Sequence, residues 1–289
     1  KFSCLSKRLV VLHIAKEYFF IFGMIFICAN LFHPILYVFT VLWVGARQHA
    51  LGILGHDAVH YTLFKNKKLN DIVGNVFCHL PIFITLFGVR REHLCHHKYV
   101  DTKFDIDWLR VKDYSQYQFP QNKIKFVSNI MKHLLGVYTI RDLYILFFKI
   151  KLITNLPKKE TLIFGLCHFS VISLICYFGL FLEYLIYWVV PISTMVITCL
   201  YFRLVAEHSN IPRGAFYNTR NVYPSWWEEL FIAPNGVNYH VDHHLYPSIP
   251  FYHLPKLHKK LMECDYYRSK VINTKGYTHQ LLNELGRVL

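Results

Sequence analysis

The amino-acid sequence predicts an all-α integral membrane protein with four transmembrane helices in two hairpins, a re-entrant or interfacial segment, and a cytosolic helical cap. Three observations lead to this fold class. Hydrophobic residues make up 54% of the 289 positions, and only 17% are charged. Aromatic residues alone account for 17%, as expected of helices that face lipid. The 32 Lys and Arg residues lie between long apolar stretches that lack them. We expect residues 1–289 to form a single domain.

The first predicted hairpin pairs a span over residues 9–32 with a span over residues 35–54. A helix needs about 20 apolar residues to cross a bilayer, and both stretches are close to that length. Pro34 lies directly between them, which predicts a tight connection. The polar residues from Arg47 to His49 are expected to mark the point where the second helix leaves the hydrocarbon, with the helix continuing beyond it.

The second predicted hairpin pairs residues 162–182 with residues 184–202, and Pro191 is a candidate kink in the latter. Residues 72–89 are apolar but short for a span, so we predict that this segment re-enters the membrane or lies at its interface. Its polar and helix-disturbing positions are Gly74, Asn75, His79 and Pro81.

The distribution of basic residues predicts the orientation. The connections at 31–34 and 179–183 contain no Lys or Arg, whereas the amino terminus, the middle region and the carboxy-terminal region are rich in them. The positive-inside rule places these three regions, both termini and the histidine-bearing cap in the cytosol of a multi-pass protein. Because the net charge of +14 is segregated in this way, we expect no nucleic-acid partner. No cleavable secretory signal is evident, and the eight cysteines contain no CxxC pair, so we expect reduced thiols.

Histidines form three clusters: HDAVH at 56–60, HLCHH at 93–97 and HVDHH at 240–244. Residues three and four apart lie on one face of a helix, so each cluster is expected to aim two or three imidazoles at one point. A further histidine follows the fourth predicted span. With all of these on one side of the membrane, we predict nine convergent metal ligands: His56, His60, His93, His96, His97, His208, His240, His243 and His244. The other nine histidines are expected to have structural roles.

Nine imidazoles are too many for one metal ion of the zinc type, which takes four ligands. Two ions are therefore predicted. Imidazole binds iron, copper, nickel and zinc, so the spacing does not name the element. Open-sided Fe(II) sites activate O₂, and this chemistry favours a pair of irons.

The three clusters, in this order and between hairpins, resemble the HxxxH, HxxHH and HxxHH boxes of the membrane fatty-acid desaturase superfamily. The similarity covers nearly the whole chain, and stretches beyond the three clusters look like the bacterial-type desaturases and hydroxylases. It implies a di-iron centre ligated only by histidine, O₂ as co-substrate, and removal of hydrogen from an unactivated C–H bond. His208 matches the lone family histidine after the fourth span. The stretches that carry the resemblance are GHDAVHYTLFKNKKLNDIVGN, RREHLCHHKYVDTKFDID and APNGVNYHVDHHLYPSIPFYHLPKLHKKL.

Further expectations concern the surroundings of this centre. Asp57, Glu92 and Asp242 adjoin predicted ligands and could accept their N–H bonds. The spans and residues 72–89 could wall an apolar tunnel that fixes which carbon of a lipid or acyl substrate reaches the metal. No redox domain is fused to the chain, so a separate ferredoxin or cytochrome b5 with its reductase must supply electrons. Basic residues that could attract such an acidic donor are Lys65, Lys67, Lys68, Arg90 and Arg91.

Three alternatives stay open at this point. A hydroxylase or ketolase acting on a lipid, alkyl or carotenoid substrate would use the same metal centre, and only its product would differ. A zinc membrane metalloprotease could be built on HDAVH, but the other two clusters would then have no role. A metal transporter would place its ligands along a pathway through the spans. The clusters instead lie at the predicted cytosolic ends.

Overall fold

A computed structural model describes residues 2–100, 102–144, 157–212 and 214–286, without the side chains of residues 279 and 280. Four long helices dominate this part of the chain: α1 (Lys7–Asn30), α2 (Pro34–Val59), α8 (Lys158–Tyr177) and α9 (Phe181–His208). The shorter helices are α3 (Lys67–Val73), α4 (Leu86–Tyr99), α5 (Ile106–Val111), α6 (Lys123–Leu134), α7 (Thr139–Tyr144), α10 (Trp226–Phe231), α11 (His240–Leu245), α12 (Leu254–Leu261), α13 (Asp265–Lys270) and α14 (Leu281–Leu285). Two strands, β1 (Asn221–Tyr223) and β2 (Asn273–Lys275), complete the fold.

Helices α1 and α2 form the predicted first hairpin, with three residues between them. The side chain of Ser6 accepts a hydrogen bond from the Leu9 N–H and so caps α1. His33 caps α2 by accepting a bond from the Ile35 N–H, and Pro34 occupies the first helical position, where its missing N–H costs nothing. Local sequence therefore defines both helix starts.

The polar residues in the middle of α2 lie inside the protein. Arg47, Gln48 and His49 are all buried within one continuous helix that extends beyond them, as predicted, while their place relative to the hydrocarbon stays a prediction. Arg47 lies 3.1 Å from the carboxylate of Glu17 on α1, and both side chains are buried. Gln48 donates to the Trp188 carbonyl on α9. These residues tie the neighbouring helices together, and they lower the apolar character of α2.

Helices α8 and α9 correspond to the second predicted hairpin, with shifted ends. The first of them stops at Tyr177 instead of 182, because Gly179 adopts a left-handed conformation that terminates it. Its partner continues six residues beyond the predicted end at 202 and finishes at His208. Wider π-helical turns lie on both sides of Pro191, as expected where a proline removes a backbone hydrogen bond.

The segment predicted to be re-entrant is a bent pair of helices. Helix α3 runs through irregular turns to Ile82, Phe83 adopts a left-handed conformation, and α4 leaves at 94° to the first part. Thr85 caps α4 by accepting a bond from the Gly88 N–H. The bend is compatible with a re-entrant segment or with a broken span, and the depth of this segment in a membrane stays a prediction.

Three helices of the described chain are long and apolar enough to cross a membrane: α1, α8 and α9. The bent pair formed by Lys67–Ile82 and Leu86–Tyr99 could supply a fourth crossing. Helix α2 is long enough to cross a membrane but is not apolar enough, because Arg47, Gln48 and His49 lie in its middle. Large apolar side chains such as Phe19, Phe26 and Phe169 are more than two-thirds exposed, as expected for residues that contact lipid. The protein is thus membrane-associated, and the predicted four-span topology is not established.

The carboxy-terminal region folds back over the ends of α2, α4 and α9. Strands β1 and β2 pair in parallel, with Val222 opposite Thr274. The all-α prediction was wrong in this detail. Each strand has only three residues, too few for an alternating pattern to be recognised in the sequence, and the pairing depends on a chain return of about fifty residues.

Candidate metal centre

Four helices deliver the nine histidines that were predicted to bind metal. His56 lies in the last turn of α2, and His60 caps that helix. The second cluster occupies the last turns of α4, and α9 ends at His208. The third cluster spans α11. Because the histidines of α2, α4 and α9 lie at or near the carboxy-terminal ends of these helices, their side chains can meet in one region with those of α11.

The nine side chains form two groups. Within each group, one nitrogen of every histidine lies within 4.8 Å of the corresponding nitrogens of the others. The five-histidine group consists of His56, His60, His93, His97 and His243. The four-histidine group consists of His96, His208, His240 and His244.

Adjacent histidines of one cluster are divided between the two groups. His96 joins the four-histidine group and His97 the other, while His243 and His244 are divided in the same manner. Successive residues of a helix point roughly 100° apart, so two neighbours cannot aim at one ion. The second and third clusters therefore each aim two imidazoles at one group, His93 with His97 and His240 with His244, while their remaining histidine joins the other group.

The imidazole nitrogens approach one another closely in both groups. In the five-histidine group, the Nε2 atom of His93 lies 2.7 Å from that of His56 and 2.8 Å from that of His97. In the four-histidine group, the Nε2 atom of His240 lies 2.8 Å from that of His208 and 3.0 Å from that of His244. A neutral imidazole has one donor and one acceptor nitrogen, so these converging atoms cannot all be satisfied by one another.

Further nitrogens at the centre lack a partner. The Nε2 atoms of His60 and His96 are buried and form no hydrogen bond with the residues that the structure describes. A buried polar atom without a partner is costly, whereas a cation at the centre of each group would satisfy several lone pairs at once. The donor set therefore fits one metal ion per group.

The two groups lie side by side. The rings of His97 and His244, one from each group, are stacked with centroids 4.3 Å apart. Two ions held in this manner would be close neighbours, as in a dinuclear centre.

Electrostatics favours the neutral, ligating form of the α11 histidines. Burial, followed by the proximity of other imidazoles, holds the pKa of His240, His243 and His244 well below the ordinary histidine value. At neutral pH these rings are uncharged and keep a lone pair available for a cation.

Carboxylates that the sequence reasoning missed contact two of the histidines. The carboxylate of Asp105 lies 2.9 Å from Nδ1 of His96, and that of Asp107 lies 3.5 Å from the same atom. Glu207 lies 3.5 Å from Nδ1 of His240 and is itself held by Arg203 at 2.8 Å. A carboxylate on one ring nitrogen fixes the tautomer and leaves the other nitrogen to the metal. The only signal in the sequence for Glu207 was that it directly precedes the predicted ligand His208, although the histidine that it contacts is His240.

The three acidic residues predicted for this role make other contacts. Asp57 accepts a hydrogen bond from the Phe251 N–H, and Glu92 pairs with Arg91. Asp242 lies 2.8 Å from Nδ1 of His258 and accepts a bond from Tyr267. Asp57 and Asp242 thus anchor α2 and α11 to the carboxy-terminal region and act on the centre only through those helices.

Most of the other histidines have local partners, in agreement with a structural role. His13 contacts Asn235, His133 contacts the Asn129 carbonyl and His168 contacts the Leu80 carbonyl. His258 belongs to the Asp242 network, His33 caps α2, and His253 contacts aromatic rings. The side chain of His279 lies outside the described part. Two further histidines, His49 and His79, are buried and retain unpartnered ring nitrogens.

A cavity of about 280 Å³ lies directly beside the centre. Its wall includes His56 and His93 from one group and His96, His208 and His240 from the other. The remaining wall combines aliphatic side chains of α2, α4 and α9 with several polar groups. A molecule in this cavity would lie next to both groups.

The chain belongs to the fatty acid desaturase family, whose family model matches residues 32–275. It is accordingly a desaturase-like oxidoreductase.

Curated relatives agree with this assignment. The chain is 30% identical over 240 residues to the dihydrorhizobitoxine desaturase of Bradyrhizobium elkanii, a match that covers 79% of this chain and 68% of the relative. It is 29% identical over 155 residues to the sn-1 acyl-lipid omega-3 desaturase (ferredoxin) of a Nostoc species, covering 51% of this chain and 40% of the relative. It is 23% identical over 255 residues to the sn-1 oleoyl-lipid 12-desaturase of Anabaena variabilis, covering 80% and 69%.

Proposed function

We propose that this chain is an O₂-dependent membrane oxidoreductase that introduces a double bond into a fatty acyl or other lipid chain. Two iron ions would be held by the nine histidines, one in each group. The observation that carries the proposal is the division of these histidines into adjacent groups of five and four. When bound, iron would supply the redox chemistry by which O₂ is activated for oxidation of a C–H bond.

The overall reaction fixes what else is needed. Reduction of O₂ to two water molecules takes four electrons. Formation of the double bond releases two electrons and two protons, an external donor supplies the other two electrons, and the other two protons come from water. The protein's own residues hold neutral imidazoles in place and would keep the oxidised carbon in the cavity beside both groups.

The electron donor is proposed to be a ferredoxin or a cytochrome b5 with its reductase, docking on the cytosolic side. The name of the Nostoc relative includes a ferredoxin. Of the basic residues predicted to attract an acidic donor, Lys65, Lys67 and Lys68 are exposed. Arg90 is committed to an ion pair with Asp71, and Arg91 pairs with Glu92, so the lysines are the better candidates.

Lipid mass spectrometry of a host that expresses the chain tests this proposal, with His243→Ala as the comparison. A product that has lost two hydrogens relative to its precursor, and is absent with the variant, supports desaturation. A product that has gained one oxygen atom assigns the chain to hydroxylation, the alternative with the same centre. Iron content of the purified proteins tests the centre independently: wild-type protein without bound iron would refute the di-iron assignment.

A further inference from the structure

His49 is a buried polar residue whose hydrogen-bonding capacity is unused. Its side chain is 2% exposed, and neither ring nitrogen has a partner among the described residues. A neutral imidazole brings one donor and one acceptor, and leaving both unpaired in a protein interior is costly. His56, on the same helix, belongs to the metal centre, whereas His49 lies outside both histidine groups. His49 therefore needs a hydrogen-bonding partner of another kind.

His49 faces the cavity beside the centre. It lies on the same face of α2 as Gly52, Ile53 and His56, and all four line that cavity. Seven residues separate His49 from His56, which places them about 10 Å apart along the helix axis. A molecule that contacts His49 with one end can therefore reach the histidine groups with another part of its chain.

His79 lines the same cavity from the bent segment. It is 1% exposed and contacts the backbone of Gly52, while its Nδ1 atom has no partner among the described residues. Its ring lies against α2 at Gly55, where a Cβ atom would come within 2.4 Å of Nε2. Glycine at this position therefore permits a second buried imidazole to border the cavity.

The charged residues of the cavity wall are already paired. Its four carboxylates, on Glu92, Asp107, Asp142 and Glu207, lie within 3.1 Å of Arg91, Arg110, Arg141 and Arg203 respectively. Each pair is neutral overall, so the wall offers little to attract a charged group. The rest of the wall includes apolar side chains such as Ile53, Ile82 and Leu200. An apolar chain with an uncharged hydrogen-bonding group matches this lining.

We infer that the substrate carries an uncharged hydrogen-bonding group, of the hydroxyl, amide or ester type, which His49 binds about two helical turns from the metal centre. This inference rests on the proposed function and specifies its substrate class. His49 is then a positioning residue: by holding the polar group, it determines which carbon lies beside the histidine groups.

Ligand-induced thermal stabilisation of the purified full-length protein tests this binding without requiring turnover. The probes are stearyl alcohol and octadecane, two chains of equal length that differ by one hydroxyl group. Wild-type protein should bind the alcohol about two- to tenfold more tightly, the range expected for one hydrogen bond. His49→Phe should abolish that preference, while His49→Gln, which keeps a donor and an acceptor, should retain part of it.

His33→Phe is the matched control, because His33 lies on the same helix but is exposed at its amino-terminal end. Loss of the helix cap can lower its melting temperature without ligand, but it should show the wild-type preference for the alcohol over the alkane. Equal binding of the two probes by wild type, or a preference that survives His49→Phe, would overturn the inference and leave water as the partner of His49. Because this measurement needs neither iron nor product, its outcome is separate from the test of the proposed function.

A second readout applies once a turned-over substrate is in hand. Without the hydrogen bond at His49 the chain can slide in the cavity, so His49→Phe should give a mixture of double-bond positions where wild type gives one. A single unchanged position in the variant would contradict a positioning role.

Discussion

The carboxylate of Asp105 lies 2.9 Å from Nδ1 of His96, while Nε2 of the same ring has no hydrogen-bond partner among the described residues. This relationship assigns the proton to Nδ1 and the lone pair to Nε2. His96 is thereby prepared to ligate through Nε2 in the four-histidine group. Asp105 itself caps α5 by accepting a bond from the Asp107 N–H, so its position is fixed by local structure.

Asp105→Ala should lower metal affinity or turnover about 10- to 100-fold, the usual effect of removing a carboxylate that orients a ligand histidine. Metal content after dialysis and product formation per protein are the measurements. Asp265→Ala is a suitable control, since Asp265 is exposed and pairs only with nearby Arg268 in the contacts observed. Equal metal retention in the Asp105 variant and the control would argue against the orienting role.

Replacement of His96, His208 or His243 with Ala should abolish turnover while membrane insertion is retained. Each of these residues supplies an imidazole that its group cannot replace from a neighbouring position. Metal content, lipid products and the membrane fraction of the expressed protein should be compared with those of His253→Ala, which lies outside both groups. Purified His243→Ala with wild-type activity would refute the site assignment.

The buried pair of Glu17 and Arg47 should contribute strongly to the stability of the α1–α2 hairpin. Removal of one partner leaves the other charge buried, which typically costs about 3–5 kcal/mol. Thermal unfolding of Glu17→Ala in detergent should show a large loss, and the double replacement Glu17→Leu with Arg47→Met a smaller one. Glu263→Ala removes a mostly exposed pair with Lys260 and should cost at most about 1 kcal/mol. Similar losses for Glu17→Ala and Glu263→Ala would be inconsistent with this interpretation.

Glu228 should make stability depend on pH in the acid range. Burial alone would raise the pKa of this carboxyl, but hydrogen bonds from Ser225 and from the side chain and backbone of Thr278 outweigh it and lower the pKa below its ordinary value of 4.5. The stabilisation is therefore complete above that value and is lost as the pH falls through the lowered pKa.

Glu228→Gln tests this dependence. The difference in thermal stability between wild type and the variant should be constant near neutral pH and should shrink below the ordinary glutamate pKa. Glu229→Gln, its neighbour on α10, is the control and should not reproduce the trend. A difference that stays the same down to acid pH would show that the ionised carboxylate is not the stabilising form.

The apolar stretches and the histidine spacing predicted much of the architecture correctly. The first hairpin, the irregular segment near residue 80 and the meeting of all nine histidines follow from periodicity, proline placement and charge distribution. These are local properties, since each depends on residues within a few helical turns. The helix ends were less accurate, because Gly179 ends α8 early and α9 continues to His208.

Tertiary structure alone decided how the histidines are shared and what surrounds them. The separation of His96 from His97, and of His243 from His244, follows from helix geometry, but which group each of them joins depends on the direction in which each helix faces its neighbours. The contacts of Asp105 and Glu207 likewise arise from chain segments that meet only after folding. Even the unusual position of His49 is invisible in the sequence, because burial beside a cavity requires three helices to pack around it. The sequence thus determined which side chains are available, whereas packing determined which of these side chains face one another.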